Sequence, residues 1–172
     1  MDFLGLKGKK IVVTGASSGI GKSTASLLAQ AGAEIVLCGR NKETIEEARS
    51  KMCNPSAHRA VTFDVKNFDS YKTVFDEIIS DGKKMNGFVH CAGAMKVVPA
   101  RVFSPEIIDD IFDTNIKSFL MISSFYLKKK YAEGGCLVGV SSVNSHNPQT
   151  GMSIYAASKA GIEAATKTLA IE

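Results

Sequence analysis

The chain has 172 residues, of which 45% are hydrophobic and 22% are charged, and its formal net charge is +4. This length suits one domain with a sizeable core, so residues 1–172 are expected to form a single unit. The composition is that of soluble globular proteins, and no apolar run approaches the ~18 residues that span a bilayer. The mild positive charge does not indicate nucleic-acid binding. We therefore expect a soluble protein without a membrane or nucleic-acid partner.

The cysteines and the first residues indicate a reducing compartment. The cysteines are widely separated and form no C-x-x-C pair, which disfavours a zinc site and a disulfide framework; they are Cys38, Cys53, Cys91 and Cys136. Residues 1–7 lack the basic start and the long apolar stretch of a signal peptide. We expect reduced thiols, no metal site and a cytoplasmic location.

Apolar runs and helical periods alternate along the chain. Strands are predicted at residues 10–14, 34–38, 60–63, 87–90 and 135–140. Helices are predicted at residues 20–31, 42–51, 69–79, 105–130 and from about 153 onward. Five short apolar strands separated by helices predict a parallel sheet covered on both faces, which is a doubly wound, Rossmann-like α/β fold. Ligands of such sheets bind beyond the carboxyl ends of the strands, where the chain places Gly15, Gly39, Asp64, Gly93 and Ser142.

The stretch TGASSGIGKST, residues 14–24, resembles two kinds of phosphate-binding loop. A nucleoside-triphosphate loop needs four residues between its glycines, but five separate Gly15 from Gly21, and Ala16 holds the required position. Asp64 could supply the acid that magnesium needs, so a phosphotransferase stays open as a weaker alternative. In a dinucleotide turn, Gly15 permits the sharp bend, Gly19 lets phosphate approach closely, and Gly21 packs the helix near the strand.

The end of the second strand bears on the choice of cofactor. Arg40 stands about 20 residues beyond the loop, where an NAD-binding protein usually carries an acid. A guanidinium can donate a bidentate pair of hydrogen bonds to a 2'-phosphate, so the pattern favours NADP(H), with NAD(H) as the alternative. Ser17 and Ser18 can add neutral hydrogen bonds. Arg40 can also be read as an ordinary surface residue at a strand end.

Tyr155 and Lys159 stand one helical turn apart, so both side chains lie on the same helix face. A neighbouring cation favours the phenolate form, which suits general acid/base chemistry. Ser142, thirteen residues before Tyr155, follows a strand, and its hydroxyl can bind a carbonyl oxygen while the tyrosine donates a proton. A second Tyr-x-x-x-Lys pair, Tyr126 and Lys130, lacks such a serine, and Tyr126 is interpreted as a helix-surface or interface residue.

Taken in order, these motifs resemble the short-chain dehydrogenase/reductase family over essentially the whole chain. The matching positions are the glycine turn with Ile20, Asp64-Val65, Cys91-Ala92-Gly93, Asn115, Ser142 and Tyr155-x-x-x-Lys159. The resemblance implies an enzyme that transfers hydride between nicotinamide and a ketone or secondary alcohol. It also implies a homodimer or homotetramer, formed through the helices at residues 105–130 and 156–170.

The resemblance assigns a role to each matching residue. Tyr155 corresponds to the acid/base, Lys159 to its partner and holder of the nicotinamide ribose, Ser142 to the group that polarises substrate, and Asn115 to the support of a proton-relay water. The adenine contacts correspond to Asp64 and Val65, and the next stretch along the cofactor to Cys91, Ala92 and Gly93. Structural alternatives remain for Asn115, as a partner of buried backbone, and for Asp64, as a helix cap.

Two features depart from the family pattern. The common Asn-Asn-Ala-Gly is replaced by His90-Cys91-Ala92-Gly93, and His90 is expected to be a buried strand-end residue, whereas His146 is expected to be a solvated loop residue. The sequence ends at Glu172, where family members continue through another strand, a substrate lid and a final strand. We therefore expect an incomplete domain with an exposed fifth strand. A dinucleotide-binding module without turnover is the alternative function.

Overall fold

A computed structural model of the chain describes residues 4–172; the first three residues, part of the segment inspected for an export signal, lie outside the described residues. Within the described part, five strands form one parallel sheet in the order β3-β2-β1-β4-β5. Their bounds are β1 Lys10–Thr14, β2 Glu34–Gly39, β3 Arg59–Thr62, β4 Met85–His90 and β5 Ala132–Gly139. The doubly wound fold predicted from the alternating pattern is confirmed.

Six α-helices connect or follow the strands. They are α1 Gly19–Gln30, α2 Lys42–Ser50, α3 Tyr71–Ile78, α4 Pro105–Phe112, α5 Ser118–Tyr126 and α6 Ser153–Leu169. Short 3₁₀ turns lie at Pro55–Ala57, Phe68–Ser70, Ala100–Val102 and Val143–Ser145. The helix predicted for residues 105–130 is divided into α4 and α5 by a π-helical turn, Asp113–Lys117, and ends at Tyr126. None of the helices in residues 4–172 is long and apolar enough to cross a membrane.

The core has two halves because successive strand residues point to opposite faces of the sheet. On one face Val12 and Phe88 pack against Phe75 of α3 and Ile122 of α5. On the other face the apolar strand residues pack against alanines of α1 and α2, in a cluster that includes Ile11, Val13, Ile35, Leu37, Ala25, Ala29 and Ala48. Helices therefore cover both faces of the central strands, as the continuous apolar runs predict.

Strand β5 lies at the edge of the described sheet and is more exposed than the strands beside it. Val138 keeps 46% of its surface accessible, so the expectation of an exposed fifth strand is met within the described residues. The strand begins three residues earlier than predicted, because Ala132 pairs with Met85 across an irregular register. Gly135 sits at this irregularity with φ +89°, where a Cβ would lie 1.6 Å from the carbonyl oxygen of Asn86.

The interpretation of Tyr126 as a surface or interface residue is wrong. Its side chain is buried, and its ring meets the ring of Phe88 edge-on with centroids 6.4 Å apart. Its hydroxyl donates a hydrogen bond of 3.0 Å to the carbonyl oxygen of Gly134. The last turn of α5 packs onto the sheet, so a tyrosine there can bury its ring and still satisfy its hydroxyl.

Candidate active site

An open groove of about 390 Å³ lies at the carboxyl edge of the sheet. It forms where the chain turns outward in opposite directions from β1 and β4, the position at which doubly wound sheets bind ligands. Twelve of the residues predicted for the cofactor line it: Gly15, Ser17, Ser18, Gly19, Ile20, Gly21, Arg40, Asp64, Val65, Cys91, Ala92 and Gly93. Gly39, expected at this edge of the sheet, also lines the groove, together with five residues that the sequence did not single out: Phe63, Lys66, Ala94, Asp110 and Thr114. Its volume falls within the usual range for small-molecule sites.

The three glycines of the first loop meet different constraints. Gly15 has φ +65°, and a Cβ there would lie 2.9 Å from the backbone nitrogen of Ala92. A Cβ on Gly21 would lie only 2.3 Å from the carbonyl oxygen of Gly15. Gly19, with φ +49°, faces open space at the start of α1. Gly15 and Gly21 thus permit close backbone packing, while Gly19 leaves the helix N-terminus accessible to an anion.

The groove has a charged wall that the sequence pattern did not reveal. Lys66 donates to Asp110 of α4 at 2.7 Å, and Lys96 donates to the other oxygen of the same carboxylate at 2.6 Å. Hydrogen bonds from Lys66 and Lys96 lower the pKa of Asp110 to about 2. Asp64 accepts a hydrogen bond of 3.0 Å from the backbone nitrogen of Lys66, so its carboxylate closes a turn and does not cap a helix. In the sequence, Lys66 directly follows Asp64 and Val65, and this position next to two predicted cofactor contacts could have indicated that it lines the groove.

Lys159 of α6 adjoins this groove, and the Tyr155 ring lies next to the lysine. The Lys159 side chain is buried, and its Nζ donates a hydrogen bond of 2.7 Å to the carbonyl oxygen of Val140. Nζ lies 5.8 Å from the centre of the Tyr155 ring. A Cβ on Gly93 would approach Nζ to 3.4 Å, so the lysine adjoins the groove at this glycine. Burial lowers the pKa of Lys159.

Asn115 lies in the π-helical turn and is completely buried. Its Nδ2 donates to the carbonyl oxygen of Ala94 and to the hydroxyl of Ser158, both at 2.9 Å. Its Oδ1 accepts from the backbone nitrogen of Ala94 at 2.7 Å. The amide therefore ties the loop after β4 to α6, and it satisfies buried backbone as the structural alternative expects.

Ser142 follows β5 and opens the turn Val143–Ser145. Its hydroxyl oxygen accepts a hydrogen bond of 3.2 Å from the backbone nitrogen of Asn144, which leaves the hydroxyl proton available for donation. Asn144 is itself buried, and among residues 4–172 its Oδ1 is the buried side-chain oxygen that has no hydrogen-bond partner. The lining of the groove does not include Ser142, Tyr155 or Lys159.

Comparison with known proteins places this arrangement in a family. The sequence model described as short chain dehydrogenase matches residues 9–172. The chain belongs to the short-chain dehydrogenase family. It is therefore an NAD(P)-dependent oxidoreductase that acts on CH–OH groups.

Two curated relatives and one solved structure illustrate the match. The chain is 32% identical over 174 residues to gluconate 5-dehydrogenase of Gluconobacter oxydans (strain 621H), covering 99% of this chain and 68% of the relative. It is 29% identical over 161 residues to carbonyl reductase family member 4 of Danio rerio, covering 94% of this chain and 68% of the relative. A short chain dehydrogenase from Mycobacterium smegmatis superposes with a TM-score of 0.91 at 27% identity, covering 96% of this chain and 70% of that structure's chain.

This short-chain dehydrogenase departs from the common Asn-Asn-Ala-Gly stretch at a buried histidine. His90 Nδ1 lies 2.9 Å from the hydroxyl of Thr14, and Nε2 lies 3.1 Å from the hydroxyl of Ser118. Because Ser118 donates to the carbonyl oxygen of Thr114, it accepts from Nε2–H, and Thr14 donates to Nδ1. Burial, with a smaller effect of the Lys159 charge, lowers the pKa of His90 to about 3. The expected buried strand-end role is confirmed.

The other sequence expectations concern thiols, metals and His146. All four cysteines are free, with Cys38 buried and Cys91 half-buried in the groove, and burial raises the pKa of both thiols. Within the described residues, no group of three or more His, Cys, Asp or Glu side chains is arranged to hold a metal. His146 is 76% exposed, as expected for a loop residue, although its Nε2 lies 2.8 Å from Glu163.

Proposed function

We propose that this short-chain dehydrogenase transfers hydride between NADP(H) and a ketone or secondary alcohol. The observation that carries the proposal is the approach of Lys159 to the groove at Gly93, with the Tyr155 ring next to the lysine Nζ. A dinucleotide in the groove would present its nicotinamide end to the two side chains suited to proton transfer. We also propose that residues 1–172 act as one dinucleotide-binding domain in a cytoplasmic homodimer or homotetramer.

The residues of the groove fit a dinucleotide. The open space at Gly19 and the start of α1 suit a pyrophosphate, because backbone N–H groups and the helix dipole favour an anion there. Asp64 and Val65 would border the adenine. Arg40, exposed at the end of β2, would pair with the 2'-phosphate that distinguishes NADP(H). Bound nicotinamide supplies or accepts the hydride.

The side chains of α6 and of the turn after β5 would transfer the proton and bind the carbonyl oxygen of the substrate. Tyr155 donates its phenolic proton to the oxygen that becomes negatively charged during reduction, and it accepts that proton during oxidation. The Ser142 hydroxyl, whose oxygen already accepts from Asn144, donates to the same oxygen and fixes its position. Lys159 places its ammonium group beside the Tyr155 ring, with Nζ 5.8 Å from the ring centre.

The choice of cofactor is tested by titrating the chain separately with NADPH and NADH and following nicotinamide fluorescence. Hydrogen bonds to charged groups contribute about 1.5–3 kcal/mol, so Arg40→Ala should weaken NADPH binding by about 10- to 150-fold. NADH binding should change by less than about 2-fold, because it lacks the 2'-phosphate. Lys42→Ala, an exposed cation two residues away that does not line the groove, is the matched control. Equal losses for both cofactors in Arg40→Ala would contradict the NADP(H) preference.

The reaction is tested by following NADPH oxidation with a panel of ketones. Because a relative is named gluconate 5-dehydrogenase, the panel includes 5-ketogluconate together with simple aliphatic and aromatic ketones. Turnover of any ketone supports the proposal. Tight NADPH binding with no turnover across the panel would favour the dinucleotide-binding module instead. Light scattering tests the oligomer separately, and a monomeric mass would contradict that part.

A further inference from the structure

Glu163 forms a cluster of polar contacts next to the candidate catalytic residues. It lies on α6, one turn after Lys159, and its Oε1 accepts hydrogen bonds of 2.5 Å from the hydroxyls of Ser141 and Ser145. Its Oε2 lies 2.8 Å from Nε2 of His146. All three partners belong to residues 141–146, the segment that also carries Ser142. One carboxylate thus joins this segment to the helix that bears Tyr155 and Lys159.

The arrangement does not suit the activation of a serine nucleophile. In a nucleophilic triad, the serine hydroxyl contacts the imidazole and the carboxylate contacts the far side of the ring. In this cluster, both serine hydroxyls contact the carboxylate directly, and His146 is 76% exposed. The Glu163 carboxylate, which can only accept hydrogen bonds, instead attaches several donor groups of residues 141–146 to α6; we call this set of contacts the anchor.

The anchor is electrostatically well supported. Hydrogen bonds from Ser141 and Ser145 are the main reason that the pKa of Glu163 is lowered, and His146 and Lys167 add attraction. The carboxylate is therefore ionised near neutral pH, and hydrogen bonds to an ionised acceptor are stronger than neutral ones. The single proton of the Ser145 hydroxyl is shared between Glu163 Oε1 and the carbonyl oxygen of Ser142, which lies 2.6 Å away, so this three-centre contact also reaches the Ser142 backbone.

We propose that Glu163 is a positioning residue, which fixes the turn carrying Ser142 against the helix carrying Tyr155 and Lys159. Glu163 acts through the loop and not on the substrate. The importance of Glu163 for catalysis rests on the proposed function. The position of the turn matters for the reaction only because Ser142 is proposed to bind the substrate carbonyl. The attachment of the loop itself is independent of the reaction and is measured separately.

Amide hydrogen exchange of residues 142–147 measures the attachment without any substrate. Glu163→Ala removes the acceptor of two charge-assisted bonds, so these amides should exchange about 10- to 100-fold faster, while the amides of α1 stay unchanged. Glu163→Gln keeps one acceptor oxygen and should give a smaller increase. His146→Ala, which removes only the exposed contact, is the matched control and should leave exchange within about 2-fold of wild type. Unchanged exchange in Glu163→Ala would overturn the proposal.

Ketone reduction by NADPH then measures the catalytic consequence. A small displacement of a positioned group can cost about 100-fold in rate, so Glu163→Ala should lose up to that factor in kcat, with NADPH affinity within about 2-fold of wild type. Glu163→Gln should recover most of the loss. Equal losses of kcat and NADPH affinity would indicate general unfolding and would overturn the positioning role. If the wild-type chain reduces no ketone, the proposed function fails, and the exchange measurement still decides whether Glu163 anchors the loop.

Discussion

Replacing Gly21 by alanine should destabilise the folded chain, although alanine is the better helix former. A Cβ at this position would lie 2.3 Å from the carbonyl oxygen of Gly15, 2.7 Å from its carbonyl carbon and 3.1 Å from the carbonyl oxygen of Thr14. All three atoms belong to backbone, so no side chain can rotate away to relieve the overlap. The first turn of α1 would have to move away from β1.

The size of the effect follows from two opposing contributions. Forcing an extra methyl group into packed structure costs about 1–3 kcal/mol, and backbone overlap lies at the upper end of that range. The higher helix propensity of alanine relative to glycine offsets about 1 kcal/mol of this cost. The net loss of about 2 kcal/mol should lower the Tm by about 4–8 °C for a domain of this size.

Gly19→Ala is the matched variant, because a Cβ there meets no atom within 4 Å. Its positive φ costs about 1 kcal/mol for alanine, so its Tm should fall less than that of Gly21→Ala. Its methyl group would occupy the space proposed for the pyrophosphate. The loss in NADPH binding free energy should therefore be larger than the loss in the free energy of unfolding. Thermal unfolding by circular dichroism and NADPH titration are measured for both variants. A Tm of Gly21→Ala within about 2 °C of wild type would refute the packing argument.

Two further predictions concern buried and groove residues. Folded His90 stays neutral down to a pH of about 3, whereas the imidazole of the unfolded chain binds a proton below about 6.5. Between these two values, the free energy of unfolding should therefore fall by about 1.4 kcal/mol for each unit by which the pH is lowered. Denaturant titrations should show that His90→Gln reduces this slope; a slope equal to that of the wild type would contradict the neutral assignment. NADPH should slow alkylation of Cys91, which lines the groove, but not of exposed Cys136, as mass spectrometry of labelled peptides can establish. Equal protection of both thiols would count against cofactor occupancy of the groove.

Much of the fold could be predicted because its signals are local. Residues 10–14 form an apolar run ended by a glycine, and β1 has the same bounds. A serine followed by proline is a typical helix start, and α4 begins at Ser104-Pro105 with the serine hydroxyl accepting from the backbone nitrogen of Ile107. Gly15, Asp64 and Gly93 could be placed at the groove because the carboxyl ends of parallel strands converge in any doubly wound sheet. The family resemblance supplied Ile20, Val65, Cys91 and Ala92.

The features that the sequence did not reveal depend on contacts between distant segments. Tyr126 could not be distinguished from a surface residue without knowing that the end of α5 packs onto β4 and β5. The bond between Lys66 and Asp110 joins residues 44 positions apart. The contact between Glu163 and Ser145 depends on how the β5 turn folds back onto α6. Periodicity and motif spacing carry no information about such pairs.

Transfer of deuterium from NADPH that carries the label at both C4 hydrogens of the nicotinamide to the carbonyl carbon of a ketone tests the central claim most directly. The wild-type chain should place one deuterium in the alcohol product, as detected by mass spectrometry. Tyr155→Phe should slow the transfer by about 10²- to 10⁴-fold with little change in NADPH affinity, because only the proton donor is lost. Tyr126→Phe, from the second Tyr-x-x-x-Lys pair, should transfer at the wild-type rate. A product without deuterium, or equal rates for wild type and Tyr155→Phe, would contradict hydride transfer at this site.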